Sequence, residues 1–180
     1  DATRFDCNGQ EFCKPDCEAL GAPGRPMAHA ILTLRRCTIL GCIQTHAIAL
    51  AENSIFMGHV RVARRQVGCM RFCYVTPDSR TPLRHHCEPV DEDNEKENIR
   101  IRPKFKAVRY GKPAYCQLNY PDGSQSGVNE CALEIRTGAD DGAEMGVFHD
   151  LYQPQREDIL STRLKEYSPA GMEVDIHYIN

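Results

Sequence analysis

The chain has 180 residues, of which 41% are hydrophobic and 26% are charged. This length and composition are typical of one folded domain with a buried core, and they exclude a disordered chain. The formal net charge of −3 and the isoelectric point of about 6.2 argue against a nucleic-acid or membrane-surface binder. The apolar runs are short and interrupted, which argues against insertion into a membrane.

Ten cysteines and no tryptophan make the composition unusual. The even number favours disulfides formed in an oxidising compartment, and therefore an extracellular or cell-surface location. Buried free thiols that pack as small hydrophobic side chains are the alternative. The chain opens with Asp1 rather than methionine, so we expect a piece of a longer protein. The disulfide candidates are Cys7, Cys13, Cys17, Cys37, Cys42, Cys69, Cys73, Cys87, Cys116 and Cys131.

Residues 1–30 are rich in glycine, proline and cysteine and are predicted to form an irregular segment. Residues 31–75 then repeat a short apolar pattern, whose paired positions are Leu32 and Leu34, Ile48 and Leu50, and Val60 and Val62. The second unit follows the first by 16 positions and the third follows the second by 12, with Gly41 and Gly58 at similar places. Short strands that recur as copies predict the coils of a parallel β-helix. An antiparallel meander is the alternative.

The second half of the chain is predicted to be a loop followed by a C-terminal cap. Residues 76–98 hold three prolines and an acidic run from Asp91 to Glu97, which indicates an exposed loop. Residues 99–180 are predicted to form a β/α cap on the solenoid. Strands are expected at 99–101, 105–111 and 114–120, and a turn is expected at 120–127.

One helix and a terminal strand are predicted to close the chain. Pro154 suits a first helical turn, and the helix is expected to end before Pro169. Its apolar face would carry Ile159, Leu160, Leu164 and Tyr167. A half-buried strand is then predicted from the alternating apolar residues Met172, Val174, Ile176 and Tyr178.

Two groups of residues have the side chains that bind metals. The zinc candidates are Cys69, Cys73, His85 and Cys87, although the first two are spaced one residue wider than a zinc knuckle usually is. The calcium candidates are Asp140, Asp141 and Glu144, in a segment that also contains His149 and Asp150 but lacks EF-hand spacing. Disulfides or packing in the first group, and a polar loop in the second, are the alternatives.

Two further hypotheses concern binding and catalysis. A basic patch of Arg61, Arg64, Arg65 and Arg71 would bind an acidic partner, including the acidic loop of another subunit, or would be a solvated face. Paired carboxylates in residues 140–150 also fit a polysaccharide-processing enzyme. The repeat region contains one acid, Glu52, so no complete active site is predicted there.

Three stretches carry a family resemblance: LTLRRCTILG, AENSIFMGHVRVARRQVGCMRFCYV and GADDGAEMGVFHDLYQPQREDILSTRLKEY. On these stretches the chain resembles the C-terminal region of large, uncharacterised bacterial right-handed β-helix proteins, and the resemblance extends over roughly residues 31–87 and 99–180. That family is associated with phage-tail-like contractile injection gene clusters. The resemblance implies a right-handed parallel β-helix with a structural or surface-binding role and implies no catalytic residue. The cysteines that look like additions to the family pattern are Cys7, Cys13, Cys17, Cys42, Cys73 and Cys116.

These features predict a mainly β protein, a parallel β-helix segment with a capping subdomain that holds one α-helix and a terminal strand. Its predicted function is non-catalytic: a disulfide-reinforced subunit or fragment of an extracellular filament, fibre or tail-like assembly. The expected partners are the protein itself or other assembly subunits, with no nucleic acid and no membrane insertion. No cofactor is predicted, with calcium as the one candidate. The alternatives are a polysaccharide-processing β-helix enzyme and a small metal-stabilised binding module.

Overall fold

The computed structural model describes residues 4–5, 11–12, 18–20, 27–90, 93–120, 130–172 and 176. The fold is mainly β, with parallel strands stacked as a solenoid of about three turns and one long C-terminal helix. This confirms the predicted solenoid. The strands are β1 Arg4–Phe5, β2 Glu11–Phe12, β3 Glu18–Leu20, β4 Ala28–Arg35, β5 Thr38–Ile39, β6 Cys42–Glu52, β7 Ile55–Phe56, β8 Val60–Val62, β9 Cys69–Arg71, β10 Tyr74–Val75 and β11 Leu83–His85.

Strand β6 is the centre of the larger sheet. It pairs in parallel with β3 and β4 on one side and with β8 and β9 on the other, and β11 extends the sheet beyond β9. A second parallel sheet has the order β10-β7-β5. Successive coils therefore stack strand on strand, so each coil buries its apolar face against the next.

The register confirms one of the predicted repeat offsets and corrects the other. Leu32 pairs with Ile48, 16 positions later, as the first two repeat units predict. Val60, however, pairs with Ile43 and not with Ile48. The third coil contains six residues, 63–68, between β8 and β9, so the residue that stacks on Leu50 is Cys69.

Large aliphatic and aromatic side chains fill the solenoid interior. Ile48, Val60 and Met70 are 0% exposed, and Phe56 is 1% exposed. Two glycines allow adjacent coils to approach closely, as their similar places in the repeat suggested. A Cβ built on Gly58 would lie 2.2 Å from the backbone carbon of Gly41, so a side chain at this position would push two coils apart.

A corner with left-handed backbone separates the two sheets in every coil. Arg36, Asn53, Phe72 and His86 have φ values of 51°, 49°, 51° and 49°, and they follow equivalent positions in β4, β6, β9 and β11. Their amides bond to the neighbouring coil: Arg36 N–H donates to Glu52 O, and Asn53 N–H donates to Arg71 O. We call these four residues the corner column.

The residues on either side of the corner column form two ladders. On the outer side Glu52 accepts ion pairs from Arg35 at 3.4 Å and from Arg71 at 2.8 Å. On the inner side the ladder consists of small polarisable side chains, namely Cys37, Ser54, Cys73 and Cys87. The corner therefore separates a charged surface from a sulfur- and hydroxyl-lined interior.

The regular strands extend beyond the 31–75 range expected for the coils. β4 begins at Ala28, and β1 to β3 lie within residues 1–30. β11 and a bridge between Tyr74 and Glu88 lie within the expected loop 76–98.

The strand predicted at 99–101 is wrong. These residues end helix α1, Glu95–Ile101, in which Ile101 is buried whereas Ile99 is 65% exposed. The helix forms because the Asn94 side chain caps it by accepting from the Glu97 amide. In 105–111 and 114–120 the structure has isolated bridges, Phe105–Leu118 and Ala107–Tyr115, instead of continuous strands.

The C-terminal region contains the short helix α2, Leu133–Arg136, a 3-10 turn at His149–Leu151 and helix α3, Gln153–Tyr167. Helix α3 confirms the predicted start near Pro154 and the end before Pro169. It contains no buried residue. Most of the predicted terminal strand and of the predicted 120–127 turn lies outside the described residues. Within the described parts of the chain, no helix has both the length and the apolarity needed to span a membrane.

Two isoleucines on paired strands test the solenoid interior. Ile48→Ala removes a side chain that is 0% exposed, so we expect the free energy of unfolding to fall by about 2–4 kcal/mol. Ile31→Ala, on the adjacent strand, removes a side chain that is 66% exposed and is expected to change it by about 0.5 kcal/mol. Urea denaturation measures both values. Equal losses would contradict the inward orientation of Ile48.

Candidate functional site

The loop between α2 and α3 docks on the corner column and brings three metal-binding side chains together. Gly146 N–H donates to Asn53 O, and Val147 N–H donates to the Thr38 hydroxyl. Gly146 has a φ of 99°, and a Cβ there would lie 2.5 Å from Thr38 Oγ1. Glycine is therefore required for the loop to approach the coils so closely.

The cluster consists of Asp140, Asp141 and His149, whose ligand atoms all lie within 4.8 Å of one another. His149 Nε2 is 3.2 Å from Asp141 Oδ1 and 3.9 Å from Asp140 Oδ1. The His149 side chain is fully buried, whereas the two carboxylates are partly exposed. The cluster therefore has a rigid buried side and a solvent-accessible side.

Asn53 of the corner column holds this cluster against the solenoid. Its Nδ2 donates to Asp140 Oδ1 at 2.6 Å and lies 3.3 Å from His149 Nε2. Its Oδ1 accepts from the Asp140 amide at 3.2 Å. Because Asn53 is 1% exposed, its amide is fixed by the fold.

The other ring nitrogen of His149 faces a third carboxylate. Nδ1 lies 3.4 Å from Asp150 Oδ1, and that oxygen accepts from Arg36 Nη1 at 2.7 Å. Tyr152 packs edge-on against the imidazole, with ring centroids 5.9 Å apart. Arg36 belongs to the corner column, so both faces of the cluster depend on the same corner.

Glu144, a predicted calcium candidate, is not part of the cluster of Asp140, Asp141 and His149. It is buried and accepts a hydrogen bond from the Tyr120 hydroxyl at 2.6 Å, and Arg136 stacks 4.6 Å from the Tyr120 ring centroid. Burial raises the pKa of the Glu144 carboxyl, and burial together with the bond to Glu144 raises the pKa of Tyr120. The structure therefore does not group Glu144 with the other two predicted calcium candidates.

The predicted zinc set does not converge. Among the described residues, the Asp140, Asp141 and His149 cluster is the one group of three or more such side chains close enough to share an ion. The left-handed corner at Phe72 interrupts the strand alternation that would have put Cys69 and Cys73 on one face. Within the set, Cys73 and Cys87 are buried, whereas His85 is exposed.

Two cysteines of the predicted zinc set do meet. Cys73 and Cys87 lie at neighbouring positions of adjacent coils, and Glu88 N–H donates to Cys73 O. A hydrogen bond between the two buried thiols raises the pKa of Cys73 and lowers the pKa of Cys87. Each sulfur also lies close to a backbone carbonyl, Cys73 Sγ 3.1 Å from Arg71 O and Cys87 Sγ 3.5 Å from His85 O.

Five of the ten disulfide candidates form no disulfide in this structure. Cys37, Cys69, Cys73, Cys87 and Cys131 carry free thiols. Cys42 and Cys116 are buried. Cys7, Cys13 and Cys17 lie outside the described residues.

A second candidate surface is a groove of about 920 Å³ lined by residues 63–67 and 79–84. Four arginines line it and no acidic residue does: Arg64, Arg65, Arg80 and Arg84. We call it the arginine groove. It forms because residues 63–68 are an insertion in the third coil, and the Arg65 side chain bonds through Nε to Thr81 O at 3.1 Å.

The structure keeps three of the four arginines of the predicted basic patch together and places the fourth elsewhere. Arg64 and Arg65 line the groove, and Arg61 is adjacent to it through a bridge to Arg80. Arg71 lies instead in the outer ladder, ion-paired with Glu52. Sequence reasoning missed Arg80 and Arg84 because they lie in a segment that was treated as a loop.

Comparisons with protein-family models, with curated proteins and with solved structures find no match to this chain.

The raised pKa of Glu144 predicts a pH dependence of stability. The folded state holds the Glu144 proton more tightly than the unfolded state does. Its contribution is therefore fully present below the ordinary pKa of 4.5 and is lost as the pH rises through the raised pKa. Glu144→Gln cannot ionise and is expected to flatten this decline, which thermal unfolding across the pH range would measure. The exposed Glu166→Gln is the control, and identical pH profiles in both variants would contradict the prediction.

Proposed function

We propose that the chain is a non-catalytic structural and interaction protein that associates with copies of itself into an extracellular filament, fibre or tail-like assembly. The observation that carries this proposal is that one chain presents two complementary charged surfaces. One is the arginine groove. The other is the acidic segment, which we define in the sequence as residues 91–97 and of which the structure describes residues 93–97.

The groove has the chemistry for binding carboxylates. Guanidinium groups bind carboxylates through two parallel N–H bonds, and each has five N–H donors. Arg65 is oriented through its Nε, and Arg84 donates from Nε to Thr81 Oγ1 at 2.7 Å. Anchoring of this kind reduces the entropy lost when a ligand binds.

The acidic segment has the matching charge. It contains five acidic residues and one lysine in seven positions. Asp93 and Glu95 are exposed, and the last three residues of the segment are the first three of α1. Glu97 is ion-paired with Arg100 of the same helix, which holds the end of the segment in a defined conformation.

The two surfaces are different, so a contact between them is heterologous. A head-to-tail contact of this kind leaves one groove and one acidic segment unused at the ends. It therefore produces an open filament unless the rotation between copies closes a ring. Resemblance to β-helix proteins of tail-like gene clusters supports the same class of function.

A cell-surface or extracellular location belongs to the same proposal. The ten cysteines support it by their number. The stacked thiols of Cys73 and Cys87 support it by their position, because adjacent strands place Cα atoms about 4.8 Å apart, within the range that a disulfide spans.

Charge reversal tests the self-association. Arg64→Glu/Arg65→Glu and Asp93→Lys/Glu95→Lys each place like charges in the contact, so each variant alone should be monomeric. An equimolar mixture should associate again, because each variant keeps one native surface and the two altered surfaces also attract. Light scattering at low and high salt measures this, and Arg163→Glu on α3 is the control. A wild-type chain that stays monomeric at high concentration, with no filament in electron micrographs, would overturn the proposal.

Disulfide formation tests the compartment. Glutathione disulfide should oxidise the wild-type chain to a Cys73–Cys87 cross-link, with two glutathione thiols released. Cys87 is expected to attack first, because its pKa is the lower of the pair. Non-reducing peptide mapping identifies the bond, and Cys73→Ser should abolish it while Cys69→Ser should not. Recovery of both thiols in reduced form would contradict the prediction.

A further inference from the structure

We propose that Asp140, Asp141 and His149 bind one zinc ion at the junction of the solenoid and the C-terminal loop. The proposal rests on the spacing of the three ligand atoms, on the orientation of the buried imidazole and on the balance of charge around it. It is independent of the proposed self-association.

The spacing of the ligand atoms matches a zinc coordination sphere. Bonds of about 2.0–2.1 Å in a tetrahedral arrangement place neighbouring ligand atoms about 3.3 Å apart. His149 Nε2 lies 3.2 Å from one carboxylate oxygen and 3.9 Å from the other. Small side-chain rotations of Asp140 would bring the wider pair to that distance, since its side chain is 42% exposed.

The buried imidazole turns Nε2 towards the two carboxylates and Nδ1 towards a third. Asp150 Oδ1 lies 3.4 Å from Nδ1, and Asn53 Nδ2 lies 3.3 Å from Nε2. Asp141 Oδ1, 3.2 Å from Nε2, also accepts from the Ala143 amide at 3.0 Å. A zinc ion between Nε2 and Asp141 Oδ1 would replace the Asn53 contact to the ring and leave the Ala143 hydrogen bond in place. A carboxylate on the far ring nitrogen is also the usual orienting partner of a histidine that binds zinc.

The charges around His149 also favour a cation. Asp140, Asp141 and Asp150 contribute −3, and Arg36 is the single arginine or lysine ion-paired with any of them among the described residues. These four side chains sum to −3 + 1 = −2, so a divalent cation is attracted to the cluster.

The donor set favours zinc over calcium. Calcium takes six to eight oxygen ligands, whereas zinc binds both imidazole nitrogen and carboxylate oxygen and, in open sites, takes three protein ligands and a water. Asp140 and Asp141 are 42% and 35% exposed, so an ion and its water can enter from solvent. Zinc would then fasten the loop to the corner column through Asn53 and Arg36.

Zinc titration of the whole chain, stripped with a chelator, tests the proposal. Calorimetry is expected to show one equivalent bound, and zinc should raise the melting temperature. Asp150→Asn should weaken binding about 10-fold through the orienting carboxylate, and Asp141→Asn should weaken it more. Asp141 is partly exposed, so its substitution preserves the core. Asp158→Asn on α3 is the matched control and should bind like the wild type.

Cobalt substitution separates this site from the cysteines. Cobalt at Asp140, Asp141 and His149 should give visible ligand-field absorption without thiolate charge transfer. The proposal would be overturned by no zinc bound to the wild type. It would equally be overturned by an affinity unchanged in both Asp141→Asn and His149→Gln, or by thiolate charge transfer that accounts for the bound ion.

Discussion

The left-handed corner column is the constraint on which the rest of this structure depends. Each coil must change direction between two sheets, and it does so at a single residue with φ near 50°. Such backbone is costly for most side chains, although asparagine tolerates it best among the non-glycine residues here. The cost is offset because the corner amides bond to the next coil and the rings of Phe72 and His86 stack 5.3 Å apart. Stacking therefore fixes the corner, and the corner keeps the coils in register.

Both candidate surfaces arise where the chain departs from the plain coil. The arginine groove exists because residues 63–68 interrupt the third coil between β8 and β9. The Asp140, Asp141 and His149 cluster exists because the C-terminal loop docks on Asn53 and Arg36 of the corner column. A regular solenoid supplies a rigid frame, and an insertion or a docked loop supplies the chemistry.

The sequence predicted the solenoid because the inward positions repeat, as in the pairing of Leu32 with Ile48. It could not predict the full register, because coils that carry insertions do not keep a constant length. Val60 was therefore aligned with Ile48 although it pairs with Ile43. The site was half predicted: Asp140 and Asp141 are close in sequence, but Asn53 is 87 positions away and meets Asp140 only through folding. Glu144 was misplaced because sequence proximity cannot tell which face of a loop meets the core.

The small net charge of the chain is consistent with assembly. At the level of the sequence, the same charge served only as an argument against nucleic-acid and membrane-surface binding. Five arginines lie in or beside the groove, counting Arg61, and five acids lie in the acidic segment. These charges nearly cancel within one chain, so the net charge does not indicate that either charged region exists. In a head-to-tail filament each groove would be neutralised by the next copy, and the repeating unit would still carry only −3. Low net charge per subunit limits the repulsion that would otherwise grow along such a filament. A near balance of opposite charges on separate segments is thus what a self-complementary subunit requires.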